Sequence, residues 1–204
     1  MKIKSIIGSG YSSNVFLIES QKNFIVDAGL NMSEAVLEKV QDKNIDRIIL
    51  THRHIDHVGD AKKLSKELNA TLYAPKKEAE ALRKADDRTI LAGNFGMDFT
   101  PLDVKNLEKD TYSGFEILST PGHTEDSISL YHKEEKVLFS GDTVFANGSA
   151  GRTDLPTGNK KQLVNSIERL SKLAVKSMYP GHMSAIENKA SEHIKRSLKF
   201  LSMM

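Results

Sequence analysis

Cysteine is missing altogether from this chain of 204 residues. Its absence excludes disulfides and thiolate metal sites, so any metal must be held by imidazole and carboxylate groups. A surplus of one charge is missing too: 29 Lys plus Arg face 27 Asp plus Glu, a formal net charge of +2. That balance speaks against a polyanion-binding surface or an acidic tail, and no nucleic-acid partner is expected. The basic doublets Lys62-Lys63, Lys76-Lys77 and Lys160-Lys161 read as solvated helix faces. Long apolar runs are also lacking. The opening MKIKSIIGSG has too short an apolar core for a signal peptide, and nothing approaches membrane-spanning length. The expectation is a soluble, cytoplasmic protein with no membrane partner. No low-complexity segment or Pro/Ser-rich linker interrupts the chain, so a single domain over residues 1–204 is expected, long enough to bury a core.

Histidine is scarce, seven in all, yet three fall in the stretch LTHRHIDHVG beside Asp56. The patterning around that stretch shows where it sits. Short apolar runs predict strands over Ile3–Gly8, Asn14–Glu19 and Asn23–Asp27, the last two joined by the polar turn Ser20-Gln21-Lys22. A helix follows over Ser33–Lys43 with Val36, Leu37 and Val40 on one face, then a strand, Asp46–Thr51, that runs into the histidines. Beyond them come a helix over Asp60–Asn69, a strand over Thr71–Ala74 and a helix over Lys76–Lys84. Gly93, Gly96 and Pro101 break any period in Ala85–Thr111, which is expected to form part of a cleft wall. Strands return at Phe115–Thr120, Ser127–His132 and Lys136–Ser140. A helix over Lys160–Leu173, a strand over Lys176–Tyr179 and a helix over Glu187–Leu201 complete the chain. That order suits a layered α/β protein. Val26-Asp27-Ala28-Gly29 and Phe139-Ser140-Gly141-Asp142 echo each other weakly, a hint of internal duplication.

The chemistry gathers at strand ends. His52 and His54 are two residues apart, which in extended backbone puts both rings on one side. Asp56 and His57 come at the turn into the next helix and aim elsewhere, so the stretch is suited to feed two neighbouring metal positions. Pro121-Gly122-His123 and Pro180-Gly181-His182 each follow an apolar strand, where proline ends the ladder and glycine permits a sharp turn. Asp142 terminates the strand Val137–Ser140. One Pro-Gly-His alone would read as a turn with a surface histidine. Five of the seven histidines placed this way read as a metal site, and His132 and His193 are left as solvated residues.

His-x-His-x-Asp-His, then Pro-Gly-His-Thr, Gly-Asp-Thr and a late Pro-Gly-His, together resemble the metallo-β-lactamase superfamily of metallohydrolases over nearly the full chain. The resemblance implies an α/β fold, a four-layer αββα sandwich of two mixed sheets flanked by helices, with a dinuclear metal site at one edge. It implies that His52, His54 and His123 hold the first ion, that Asp56, His57 and His182 hold the second, and that Asp142 bridges them. Asp27 matches an acidic residue that braces the metal loop without ligating. The expected ions are two divalent metals, zinc first, with iron or manganese accepted by the same donors.

A hydroxide shared by two such ions would be the nucleophile at neutral pH, with Asp56 as the catalytic residue that orients it. The run Gly141-Asp142-Thr143-Val144-Phe145, leading to Gly151-Arg152-Thr153-Asp154, is similar to the short glyoxalase II-like branch. That branch implies a small-molecule substrate, a thioester of the S-lactoylglutathione type. Thiolate is a good leaving group without a proton donor, which suits a site with no evident general acid. Arg152 is a candidate partner for a substrate carboxylate; the alternative is a loop-pinning pair with Asp154. Three departures stand against a glutathione assignment. The helical C-terminal domain of long glyoxalase II enzymes is expected to be absent, Glu125-Asp126 follows Pro-Gly-His-Thr, and Met183 replaces a common glycine. Rival readings are a persulfide dioxygenase, with one iron on His52 or His54, His123 and Asp142, a lactonase or phosphodiesterase, and a non-catalytic metal-bearing module.

Overall fold

Val15–Glu19 carries apolar side chains on both sides of its strand, and so do Phe24–Val26 and Arg47–Ile49 but for Arg47, a pattern that belongs to sheets covered on both faces. A computed structural model describes residues 1–41, 43–108 and 111–203. Its contacts divide into two compact units, Met1–Glu108 and Lys109–Met204.

The first unit holds a six-stranded mixed sheet, β1 (Lys2–Ile6), β2 (Val15–Glu19), β3 (Phe24–Val26), β4 (Arg47–Ile49), β5 (Thr71–Ala74) and β6 (Val104–Asn106), in that spatial order. The first two pairings are antiparallel and the remaining three parallel. Helices α1 (Ser33–Val40), α3 (Ala61–Leu68) and α4 (Lys76–Lys84) carry Val36, Val40, Leu64, Ala79 and Leu82 into one core with Leu17, Ile25, Ile48 and Leu72. Each of these side chains except Ala79 contributes about 1.5–3 kcal/mol on burial. Between β4 and α3 lies α2 (Ile55–Val58), and α5 (Asp87–Ile90) follows α4. The alternate side chains Phe16, Ile18, Phe24, Val26 and Ile49 are buried as well.

The second unit holds a five-stranded mixed sheet in the order β11-β10-β9-β8-β7. Its strands are β7 (Thr111–Tyr112), β8 (Phe115–Ser119), β9 (Ile128–His132), β10 (Val137–Gly141) and β11 (Ser177–Pro180). β11 is the edge strand, where Pro180 is tolerated because no neighbour needs its missing donor. Helices α6 (Lys160–Ser171) and α7 (Ala190–Met203) seal one face, packing Leu163, Ile167, Leu170 and Ile194 with Tyr131, Leu138 and Met178. No helix among the described residues is long and apolar enough to cross a membrane.

Several predicted bounds shift. α1 stops at Val40 because Gln41 takes φ 52°, a left-handed conformation that ends the helix; of the predicted end, Asp42 lies outside the described residues. α7 starts at Ala190, since Lys189 is left-handed and Ile186 is engaged in a bridge to Met178. The unpatterned stretch 85–111 contains α5, a 3-10 turn at Ala92–Phe95 and edge strand β6, with 109 and 110 outside the described residues.

Gly122 shows how tightly α6 is seated. Asn159 N–H donates to Gly122 O at 2.7 Å, and Ser166 Oγ donates to Pro121 O at 2.8 Å. At φ 138°, a Cβ on Gly122 would fall 2.2 Å from Leu163 N. Gly122→Ala therefore combines backbone strain with an overlap against a helix, and should cost about 2–4 kcal/mol in denaturant unfolding. A loss below that of an ordinary surface substitution would refute this packing.

Candidate metal centre

In the first unit the donors follow β4 directly. His52, His54 and His57 are buried, and Asp56 is half-buried. His54 is extended (φ −61°, ψ 143°), so the i, i+2 pair shares one side of the backbone. His52 Nε2 lies 3.2 Å from His54 Nδ1. Two nitrogens bound to one tetrahedral ion at 2.0–2.1 Å are roughly 3.3 Å apart, so this separation fits a common ion of zinc's size. One turn of helix, α2, then changes the chain's direction. It sets His57 Nε2 3.6 Å from Asp56 Oδ2, a second imidazole–carboxylate pair.

Asp27 ties these donors to the sheet. It follows β3 with φ 59°, and its carboxylate is buried. Oδ1 accepts from Thr51 N–H at 2.7 Å, while Oδ2 accepts from Thr51 Oγ1 at 2.9 Å and from His57 Nδ1 at 2.8 Å. With Nδ1 so engaged, Nε2 is the His57 nitrogen able to ligate, and the ring is fixed in orientation. The backbone repeats the tie: Ala28 N–H donates to His57 O at 2.8 Å and Ser13 N–H to Asp56 O at 3.1 Å. The Asp60 carboxylate accepts from Met32 N–H and from Ser33 N–H at the start of α1. Thr51, Ser13 and Asp60 were not singled out from the sequence. Asp60 is legible there only as the start of α3, whereas its carboxylate caps a different helix.

The second unit supplies its donors from three strand ends. His123 follows β8 through Gly122, Asp142 follows β10, and His182 follows β11. A slip in register between Phe139 and Gly141 bends β10 at its end, just before Asp142. Gly181 N–H donates to Gly141 O at 2.9 Å, which keeps His182 beside Asp142. Asp142 Oδ2 lies 3.6 Å from His123 Nε2 and 3.5 Å from His182 Nε2, so one carboxylate oxygen is shared between two imidazoles. His123 Nδ1 donates to Arg152 O at 2.8 Å, again leaving Nε2 as the nitrogen able to ligate. That bond needs Gly151, because a Cβ there would fall 2.0 Å from Asp142 O and 2.9 Å from His123 Nδ1. Ser140 Oγ donates to Val144 O at 2.8 Å and Thr143 Oγ1 to Thr120 Oγ1 at 3.0 Å, so both hydroxyls hold the loop.

In each unit the donors are imidazole nitrogens and carboxylate oxygens, the set that zinc, iron and manganese accept. Arg152 is exposed and forks onto Asp154, with Nε at 2.8 Å and Nη2 at 2.5 Å. The guanidinium pushes the Asp154 carboxyl down to about 2. Because the folded value is depressed, the pairing is complete above the ordinary value of 3.8 and is lost as pH falls through about 2. His132 meets Phe115 edge-on at 5.0 Å, and His193 Nδ1 accepts from Asn147 N–H at 3.0 Å, so both have contacts beyond solvent.

The family model described as the metallo-beta-lactamase superfamily matches residues 8–182 of the chain. Over 193 residues the chain is 38% identical to a probable metallo-hydrolase of Methanocaldococcus jannaschii, covering 88% of this chain and 92% of that protein. Over 179 residues it is 32% identical to the hydroxyacylglutathione hydrolase GloC of Haemophilus influenzae, covering 82% of each. Among solved structures it is similar to TTHA1623 in a di-iron-bound form, with a TM-score of 0.78 and 29% identity, covering 89% of this chain and 93% of that one.

Asp27→Asn isolates the carboxylate, since asparagine tolerates the left-handed backbone. Asparagine has one acceptor oxygen where the carboxylate has two, so its NH2 must face either the Thr51 N–H or the Thr51 hydroxyl and His57 Nδ1, and the metal-free protein should lose about 1–3 kcal/mol. Metal affinity should fall ~10–100-fold in competition with a chromophoric chelator. Wild-type values for both would remove Asp27 from this role. In Arg152→Ala, an NMR titration should find the Asp154 midpoint risen from about 2 toward 3.8; an unmoved midpoint would deny the guanidinium its effect.

Proposed function

The chain belongs to the metallo-beta-lactamase superfamily of metal-dependent hydrolases and shares its fold of two mixed sheets flanked by helices; from that premise we propose that it hydrolyses a thioester of the hydroxyacyl-thiol, S-lactoylglutathione type. The family model runs across both compact units, which supports reading residues 1–204 as one domain and the two donor clusters as halves of one dinuclear centre. In this reading His52, His54 and His123 would hold one ion, Asp56, His57 and His182 would hold the other, and Asp142 would be shared between them. The donor spacing carries it: 3.2 Å between His52 Nε2 and His54 Nδ1, and 3.5 and 3.6 Å from Asp142 Oδ2 to the imidazoles of the two Pro-Gly-His turns.

Two divalent ions, proposed to be zinc, would when bound supply an activated hydroxide near neutral pH and polarise a carbonyl. Asp56, half-buried beside His57, would orient that hydroxide by accepting its hydrogen bond, as well as bind metal. Asp27 holds the His57 ring still through this step, and the Arg152 carbonyl does the same for His123. The leaving thiol has an ordinary pKa of about 8.5 and departs as thiolate, so the reaction needs no proton donor. Ser140 and Thr143 are committed to loop contacts and take no part. The Arg152 guanidinium exchanges its partner Asp154 for a carboxylate on the substrate. The name of the Haemophilus influenzae relative supports this substrate class.

A panel of thioesters, lactones and phosphodiesters tests the reading. The highest kcat/KM is expected for a hydroxyacyl thioester; preference for a lactone or phosphodiester, or steady oxygen uptake with glutathione persulfide, would overturn it. Asp56→Asn should weaken the ion held with His57 and His182 and, even at saturating metal, lose ~10²–10⁴ in kcat. Asp142→Ala should lose both metal and turnover, and near-normal turnover would remove Asp142 from the bridge.

A further inference from the structure

Arg53 stands between two of the proposed ligands, yet its side chain is only 3% exposed and that of its partner Glu78 is fully buried. One carboxylate oxygen, Glu78 Oε2, accepts twice from this residue, from the backbone N–H at 3.0 Å and from Nε at 2.6 Å. Arg53 Nη1 donates to Thr89 Oγ1 at 3.2 Å, and that hydroxyl donates to Asp86 Oδ2 at 2.9 Å. Glu78 lies in the first turn of α4, where a carboxylate is favoured by the helix dipole. Its neighbours Ala79 and Leu82 are buried in the core of the first unit. The residue between the two imidazoles is thus gripped at backbone and side chain by one rigid helix.

Stability alone does not account for such a pair. Taking a carboxylate and a guanidinium out of water is costly, and an apolar pair of similar volume often serves folding as well or better. What an apolar pair cannot do is hold the peptide of residue 53 in one orientation, and that peptide sets the directions of the rings on either side. The carboxylate also cancels a positive charge that would otherwise repel a cation at His52 and His54.

We propose that the Arg53–Glu78 ion pair is a positioning clamp that holds His52 Nε2 and His54 Nδ1 at the separation one ion requires, so that its removal is felt in metal affinity more than in folding. This rests on the metal-centre reading above. The test uses the full chain, with zinc as the probe, in wild type, Glu78→Gln and the double variant Arg53→Met/Glu78→Leu. Zinc affinity is read by chelator competition and the stability of the metal-free protein by denaturant unfolding. Glu78→Gln should weaken one of two zinc ions ~10–100-fold, as loss of a ligand's supporting partner does. The double variant, which removes the buried guanidinium as well, should be more stable than Glu78→Gln in the metal-free state while keeping that weakened ion. Wild-type zinc affinity in the double variant, or a double variant too unstable to fold, would overturn the clamp and leave the pair a structural contact. Two ions bound by wild type with unchanged affinity in Glu78→Gln would overturn the clamp alone. No zinc bound by wild type would overturn the metal centre and the clamp together.

Discussion

Three buried imidazoles crowd the end of β4, with the His52 ring centroid 4.7 Å from that of His54 and 4.1 Å from that of His57. Rings this close and this buried bring several ring nitrogens within reach of one point. Neutral imidazoles present lone pairs, and lone pairs converging in a protein interior are what a cation needs. The rest of the first unit is arranged around holding them. The Asp27 carboxylate fixes Thr51 and His57, Asp60 draws the start of α1 to the end of α2, and Glu78 grips the residue between His52 and His54.

The second unit solves the same problem by other means. No stretch there holds more than one donor; each arrives from its own strand end, so accuracy depends on backbone approach. Gly122 and Gly151 let α6 and the Arg152 carbonyl come closer than any side chain would permit. The outcome matches the first unit in kind: His123, like His57, has Nδ1 committed to an oxygen at 2.8 Å. A carboxylate does this in one unit and a peptide carbonyl in the other.

Strand ends were legible because apolar runs stop abruptly at His, Asp and Pro-Gly-His, and the order of sheets and helices could be read from that. Segment 85–111 was not, for a physical reason. β6 has one buried residue in three and is a strand by virtue of pairing with β5, a tertiary choice that local pattern does not carry. The true ends of α1 and α7 turn on left-handed residues, Gln41 and Lys189, whose side chains do not announce that conformation. Glu78 left a trace that was readable: it lies four residues before Leu82 and so shares the helix face that faces the core. A charged residue at such a position implies a buried partner, and Arg53 is it. His193, read as solvated, is engaged by the backbone of Asn147 because α7 meets a 3-10 turn at Ala146–Gly148, another contact without a local signature.

The central claim is that imidazoles and carboxylates from both halves of the chain grip one pair of ions. Anomalous diffraction from crystals of the metal-loaded protein, recorded across the absorption edge of the bound element, addresses it directly. Two peaks about 3.5–4 Å apart are predicted, one touching His52, His54 and His123, the other Asp56, His57 and His182, with Asp142 touching both. Peaks confined to other residues, or His52 and His182 on remote surfaces with no ion between them, would contradict it.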